Sequence, residues 1–307
     1  MTTPPTATPP ATTTTTTTAK ETAGPRAGAT AAAGVRARFR DLLVAEWIKL
    51  WSLRSTHWVL GGSAPVVVGI NANAAWSNAD RLSRQFAEQT APPPGMPEML
   101  FDPLGTAFVD PAWQLLMIVA GSVGAIAVFG EYTSGLIRTT FAAVPARRAV
   151  MVARTTVMLA VMLVLGTVVA GASFGVTQAI LRDHHGLSLG DPGALRAVVG
   201  AALLAPLCAL VGMALGALVR HAAGTVVAVV GVLLLLPALF QGETYRWVKE
   251  IGNAMPLSAW HALVRNPERV HDVSRYPVSV TEAWIVFGAW SLVAVVVTVT
   301  AVHRRDV

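Results

Sequence analysis

Six stretches of this chain run for about twenty residues or more without Asp, Glu, Lys or Arg: Ser55–Ala79, Ala112–Gly130, Thr155–Leu181, Ala197–Val219, Ala222–Gly242 and Ala283–Val302. A helix needs roughly 20 apolar residues to cross the hydrocarbon core of a bilayer. The runs are continuous. A transmembrane barrel would instead show alternating strands of about 10 residues. Only 13% of the 307 residues are charged and 53% are hydrophobic, where a soluble domain carries about 25% charge. That excludes a soluble globular enzyme, whose surface needs more charge, and it excludes disorder for most of the chain. The expectation is an all-α integral membrane protein with six transmembrane helices.

The first run is the most dilute, because Asn71, Asn73, Ser77 and Asn78 fall in its second half. The second run holds Gly121, Ser122, Gly124, Ala125 and Ala127. Small residues let helix backbones approach closely in lipid, which favours a place inside the bundle; a chain rich in Gly and Ala would show the same by composition alone. Loop charges orient the spans, since cytoplasmic segments carry the excess of Lys and Arg. One set of segments holds Arg36, Arg38, Arg40, Lys49, Arg54, Arg138, Arg147, Arg148, Arg154, Arg220, Arg304 and Arg305, against four acids. The other set holds nine basic residues and twelve acids. Both termini are therefore expected in the cytoplasm, with the chain in the plasma membrane. The net charge of +6 then reads as a topology signal and does not call for nucleic acid. Cys208 is the single cysteine, a small apolar residue within the fourth run.

Residues 1–34 are nearly all Thr, Pro, Ala and Gly, with a threonine run at Thr12–Thr18. This composition predicts a disordered cytoplasmic leader. It has no apolar core behind a basic start, so it does not read as a secretory signal. Residues 35–56 read as an amphipathic interface helix ahead of the six-span domain at 57–307. At about 100° per residue, Arg38, Asp41, Ala45, Lys49 and Ser52 share one side, and Phe39, Leu42, Leu43, Trp47, Leu50 and Leu53 the other. Tryptophans such as Trp47 and Trp51 favour the headgroup level, and such a helix lies in the interface. Glu46 falls on the apolar side. It is either solvated on a wet helix or paired with Lys49, one turn on.

The segment between the second and third runs, Glu131 to Arg148, has its own pattern. Ser134 is placed to cap a short helix over Gly135–Ala143, and Pro145 would stop it. Leu136, Ile137 and Phe141 would give that helix an apolar face for a partner groove. A basic loop that only enforces orientation is the alternative. Between the fourth and fifth runs lie only Arg220 and His221, so those spans must form a tight hairpin. In the long segment Glu243–Glu282, the stretch Arg246–Ile251 fits either a helix on the outer surface or one arm of a re-entrant helix pair.

Motifs for chemistry are sparse. A phosphate-cradling Gly-Lys-Ser/Thr is missing: Lys20, Lys49 and Lys249 are the only lysines and none follows glycine. His184 and His185 with Asp183 and Asp191 fit a solvated loop better than a metal site. Gly171-Ala172-Ser173-Phe174-Gly175 has the spacing of a nucleophile elbow but sits within the third run; small residues for helix packing explain it. None of the six runs holds an acid, which argues against a proton-coupled transporter.

Two segments resemble one family. Ala45-Glu46-Trp47-Ile48-Lys49-Leu50-Trp51-Ser52-Leu53-Arg54-Ser55-Thr56 is similar to the amino-terminal interface helix of ABC-2 type transporter permeases of actinobacteria. The stretch from Glu131 to Pro145 resembles the loop after their second span, which holds the coupling helix that touches the ATPase subunit. The resemblance covers the chain from about Arg36 onward. It implies a permease subunit, not itself an enzyme, that exports its cargo and binds no cofactor. ATP and Mg would be held by a separate ABC ATPase partner, and a second permease copy or paralogue would complete the translocation path. It implies partner coupling through Glu46, Lys49, Arg54, Glu131, Ser134, Gly135, Leu136, Ile137, Arg138 and Phe141. The substrate is not implied. The competing class is a non-transporting membrane anchor or immunity protein.

Overall fold

Why six apolar runs become one bundle is visible in how each helix is buried. The computed structural model describes residues 38–52, 54–87, 102–133, 147–184, 186–266 and 274–304. Within these, every regular element is helical: α1 (Phe39–Ser52), α2 (Arg54–Ala87), α3 (Pro103–Ala107), α4 (Asp110–Thr133), α5 (Arg147–Leu181), α6 (Ala194–Val219), α7 (Ala222–Leu239), α8 (Arg246–Asn253), α9 (Pro256–Val264) and α10 (Val280–Arg304), with a 3-10 turn at Arg182–His184. Among the described residues, five helices are long and apolar enough to cross a membrane: those over Pro103–Gly130, Arg148–Leu181, Ala194–Val219, Ala222–Leu239 and Val280–Ala301. The described residues are thus those of an all-helical membrane protein. α2 has the length, at 34 residues, but not the hydropathy.

α6 is the central post. Its most apolar window is 78% buried, against 22% for α7 and for α10. α4, α5, α7, α9 and α10 all pack on it. Its contact with α4 is a backbone contact. A Cβ built on Gly124 would run into the Ala209 carbonyl, one on Gly212 into the Gly121 carbonyl, and one on Gly216 would sit 2.8 Å from the Ala125 carbonyl. The small residues of the second run therefore do place α4 in the interior, and composition alone does not account for them. Gly171 and Gly175 behave differently: each faces open space. Within that motif Ser173 and Phe174 are buried while both glycines are exposed, so the helix-packing explanation holds for the serine and not for its glycines.

The polar half of α2 is stitched inward. Asn71, fully buried, donates to Ser173 Oγ of α5 at 3.0 Å and accepts from the Val109 N–H at 3.2 Å. Asn78 donates to Thr106 Oγ1 at 3.1 Å. Buried polar side chains in a membrane bundle bond across helices, because lipid offers them no partner. These asparagines lower the hydropathy of α2 while tying it to α3 and α5.

α6 and α7 meet at a two-residue turn. Arg220 takes a left-handed conformation (φ 54°) and caps α6 through its N–H to Gly216 O, 3.2 Å away. His221 Nδ1 accepts the Gly224 N–H at 3.2 Å to start α7. Within α7 a π turn spans Gly231–Leu235, just before Pro237. Proline has no N–H to give to the preceding turn, and the ladder widens there.

Candidate functional site

The site begins with α1 and how it is held. Leu42 and Leu43 of α1 pack on Ala149, Val150 and Ala153 of α5, in a small apolar cluster separate from the main core. One turn further along each helix, at i+4, come Glu46 and Arg154. Residues four apart share a helix face, so the packing that seats Leu42 on Val150 also brings the carboxylate to the guanidinium. Arg154 Nε donates to Glu46 Oε2 at 2.9 Å and Nη2 donates to Oε1 at 3.0 Å. The remaining arm, Nη1, donates to the main-chain carbonyl of Ala127 on α4 at 3.1 Å. The two side chains are only 5% and 11% exposed.

A bidentate arginine–carboxylate pair fixes orientation as well as distance. At this burial neither ion can lose the other cheaply, because breaking such a pair leaves an uncompensated charge at a cost of about 3–5 kcal/mol. The bidentate partner of Glu46 thus comes from 108 residues away and not from its own helix. Lys49 stands beside the pair, half-buried, with its ammonium held below its ordinary value by burial and by the Arg154 charge, against an opposing pull from Glu46.

This changes three sequence expectations. Glu46 is not solvated, and its bidentate partner is not Lys49. Arg154 is not a loop charge; it is 4% exposed inside the bundle. The apolar side of α1 also splits: Leu42, Leu43, Glu46 and Leu50 turn inward together, as the wheel groups them, but Phe39 and Trp47 of that side are exposed and Lys49 of the other side is half-buried. Docking on α5 selects the ridge through 42, 46 and 50, and the wheel alone could not choose it. A usable signal was present in the sequence: two lone charges of opposite sign, one on an apolar helix face and one at the lip of an apolar run.

Of the other expected coupling residues, Arg54 is exposed in the first turn of α2, and Glu131 falls in the last turn of α4. Ser134, Gly135, Leu136, Ile137, Arg138 and Phe141, with the expected short helix Gly135–Ala143, lie outside the described residues, as does the leader at 1–34.

The opposite end of the bundle carries α8 and α9; the Arg246–Ile251 stretch is helical, within α8, and largely exposed. α9 is buried through Leu257, Ala259, Trp260 and Leu263 and packs on α6 and α10. Trp113 and Trp260 pack with ring centroids 5.8 Å apart and planes tilted by 34°, and His261 Nε2 meets Asp110 Oδ1 at 2.8 Å. Arg196 donates to the Leu263 and Arg265 carbonyls, which caps the C-terminus of α9. Glu243 gathers the surrounding loop: it accepts from the Ser274 hydroxyl, from the Arg275 N–H at 3.3 Å and from Lys249 Nζ at 3.1 Å. These bonds hold its carboxyl down at about 2. Ser279 and Glu282 form a capping box at the start of α10, with Ser279 N–H to Glu282 Oε2 at 2.8 Å and Glu282 N–H to Ser279 Oγ at 3.2 Å. The Ser-x-x-Glu spacing at 279–282 is the sequence signature of that cap. Among the described residues no group of His, Cys, Asp and Glu is arranged to hold a metal.

The chain matches no protein-family model and no curated protein sequence.

Proposed function

We propose that this chain is the membrane-spanning subunit of an ABC-2 type transporter, an exporter driven by a separate ATPase that binds ATP and Mg. In this reading α2 is the first of six spans, both termini lie in the cytoplasm of a cell bounded by this plasma membrane, and two permease copies or paralogues pair. The observation that carries the reading is the clamp on α1. An amphipathic helix held rigidly to the bundle by Glu46 and Arg154 is suited to pass on a push from outside the membrane. Arg154 also grips α4 at Ala127, one turn before Glu131, where α4 leads into the segment that resembles a coupling helix. A helix that served only as an anchor would need lipid contact and no such clamp.

The test is co-purification of the full chain with a P-loop ATPase whose hydrolysis rate depends on it. Arg138→Glu and Phe141→Ala are expected to abolish that dependence. An ATPase whose assembly and rate are unchanged by both substitutions overturns the relay, and a chain that recruits no ATPase overturns the transporter reading.

A further inference from the structure

Arg154 joins three helices through one guanidinium. Two of its N–H groups hold Glu46 of α1, a third holds the Ala127 carbonyl of α4, and its own backbone belongs to α5. We propose that Arg154 is a positioning residue that makes α1, the end of α4 and the start of α5 move as one body. The role in coupling rests on the transporter reading; the rigid unit itself does not.

Three observations support it. First, the apolar contact between α1 and α5 is small: Leu42, Val150 and Ala153 form their own cluster, with Leu43 and Ala149 packed against it. Leu50 adds one apolar contact with the main core; such contact is non-directional and lets a helix roll or slide, so the polar clamp supplies the directional part of the hold on α1. Second, among the described residues the planar guanidinium fork bonds to partners on two different helices. A lysine would keep the charge but offers a point donor on a flexible stem, and it cannot hold a carboxylate in two places while reaching a carbonyl on another helix. Third, the clamp sits where both expected docking elements start. Glu46 lies in the helix that resembles the interface helix, and Ala127 is four residues before Glu131. A push on either element is therefore delivered to the same side chain, and from there into α5. Lys49 adds a second cation beside Glu46, so loss of Glu46 would leave two positive charges facing each other and drive α1 away.

The experiment has two arms on the full chain. In the first, thermal melts of the purified protein compare Glu46→Gln, Arg154→Met and the double variant. Each single variant is expected to melt about 5 °C or more below the parent, at 2–4 °C per kcal/mol for a chain of this size. The double variant is expected no lower than the worse single. Additive shifts would show that the two side chains do not interact, and the rigid unit falls whatever the protein does.

In the second arm, spin labels replace Trp47 and Val164, both exposed, in a Cys208→Ala background, with the ATPase bound and ATP–Mg added. With Arg154 present, the distance between α1 and α5 is expected to stay constant on nucleotide addition. In Arg154→Lys it is expected to shift by roughly 2 Å or more, the scale of helix shifts in switching proteins, while the ATPase stays bound. A distance that changes with Arg154 intact, or stays constant in Arg154→Lys, overturns the proposal. If no ATPase binds the parent protein, the transporter reading falls and takes the coupling role with it, while the first arm still decides whether the clamp exists.

Discussion

The α4–α6 contact makes the sharpest stability prediction. Gly124 and Gly212 each face a main-chain carbonyl of the other helix so closely that a Cβ would overlap it. A carbonyl in a helix cannot rotate aside as a side chain can, so Gly124→Ala must push the helices apart by a good fraction of an ångström. Overpacking of that kind costs about 1–3 kcal/mol, and obstruction by backbone puts it at the upper end. The gain in helix propensity from Gly to Ala, about 0.5–1 kcal/mol, offsets part of this. The net expectation is a loss of about 1–2 kcal/mol, or roughly 2–8 °C in Tm. Gly212→Ala should behave alike, and the pair should be less than additive because both force apart the same α4–α6 contact. Gly175→Ala is the control: its Cβ would meet nothing within 4 Å, so only propensity acts and the melt should hold or rise. Cys208 supplies the assay, since it is the only cysteine and is buried in α6 beside this contact. A thiol-reactive dye reports its exposure as the bundle opens. If Gly124→Ala and Gly175→Ala melt together with the parent, the close approach of α4 and α6 is refuted.

Other outcomes follow from the polar ties. Asn71→Ala removes two cross-helix bonds, at about 0.6 kcal/mol each for a membrane bundle, and strands the Val109 N–H; the same dye melt should fall by a few degrees, while the exposed Asn73→Ala should not move it. Glu243 has its carboxyl held down from 4.5 to about 2, so its bonds stabilise the loop fully above about pH 4.5 and are lost as pH falls through about 2. Protection of the Arg275 and Tyr276 amides, taken relative to the intrinsic exchange rate at each pH, should fall across that window and stay constant in Glu243→Gln. Ser279→Ala breaks the capping box and should speed exchange of the first-turn amides of α10, with little effect on the melt of the bundle core.

Much of the architecture was written in the sequence because lipid imposes so simple a rule. Apolar runs long enough to cross must become helices, since no other open segment satisfies its own backbone groups there; the ends of α4, α6 and α10 fall close to the ends of their runs. The small residues of the second run marked an interior helix for the same physical reason that Gly124 now demonstrates. What the sequence could not show is which polar residues face inward. Asn71 and Asn73 look alike in the sequence, yet one is buried against Ser173 and the other is exposed.

Glu46 is the clearest case. Spacing along one helix offered Lys49 as its partner, and local spacing cannot reveal a cation 108 positions away. By itself the sequence determined that this chain is a set of apolar helices with its charges gathered at their ends, because burial in hydrocarbon is a property of each segment alone. The tertiary structure decided that α6 is the central post, that α2 belongs to the bundle despite its asparagines, and that α1 is clamped by Arg154. Those are relations between segments, set by which faces pack and by the cost of leaving a buried charge or amide without a partner.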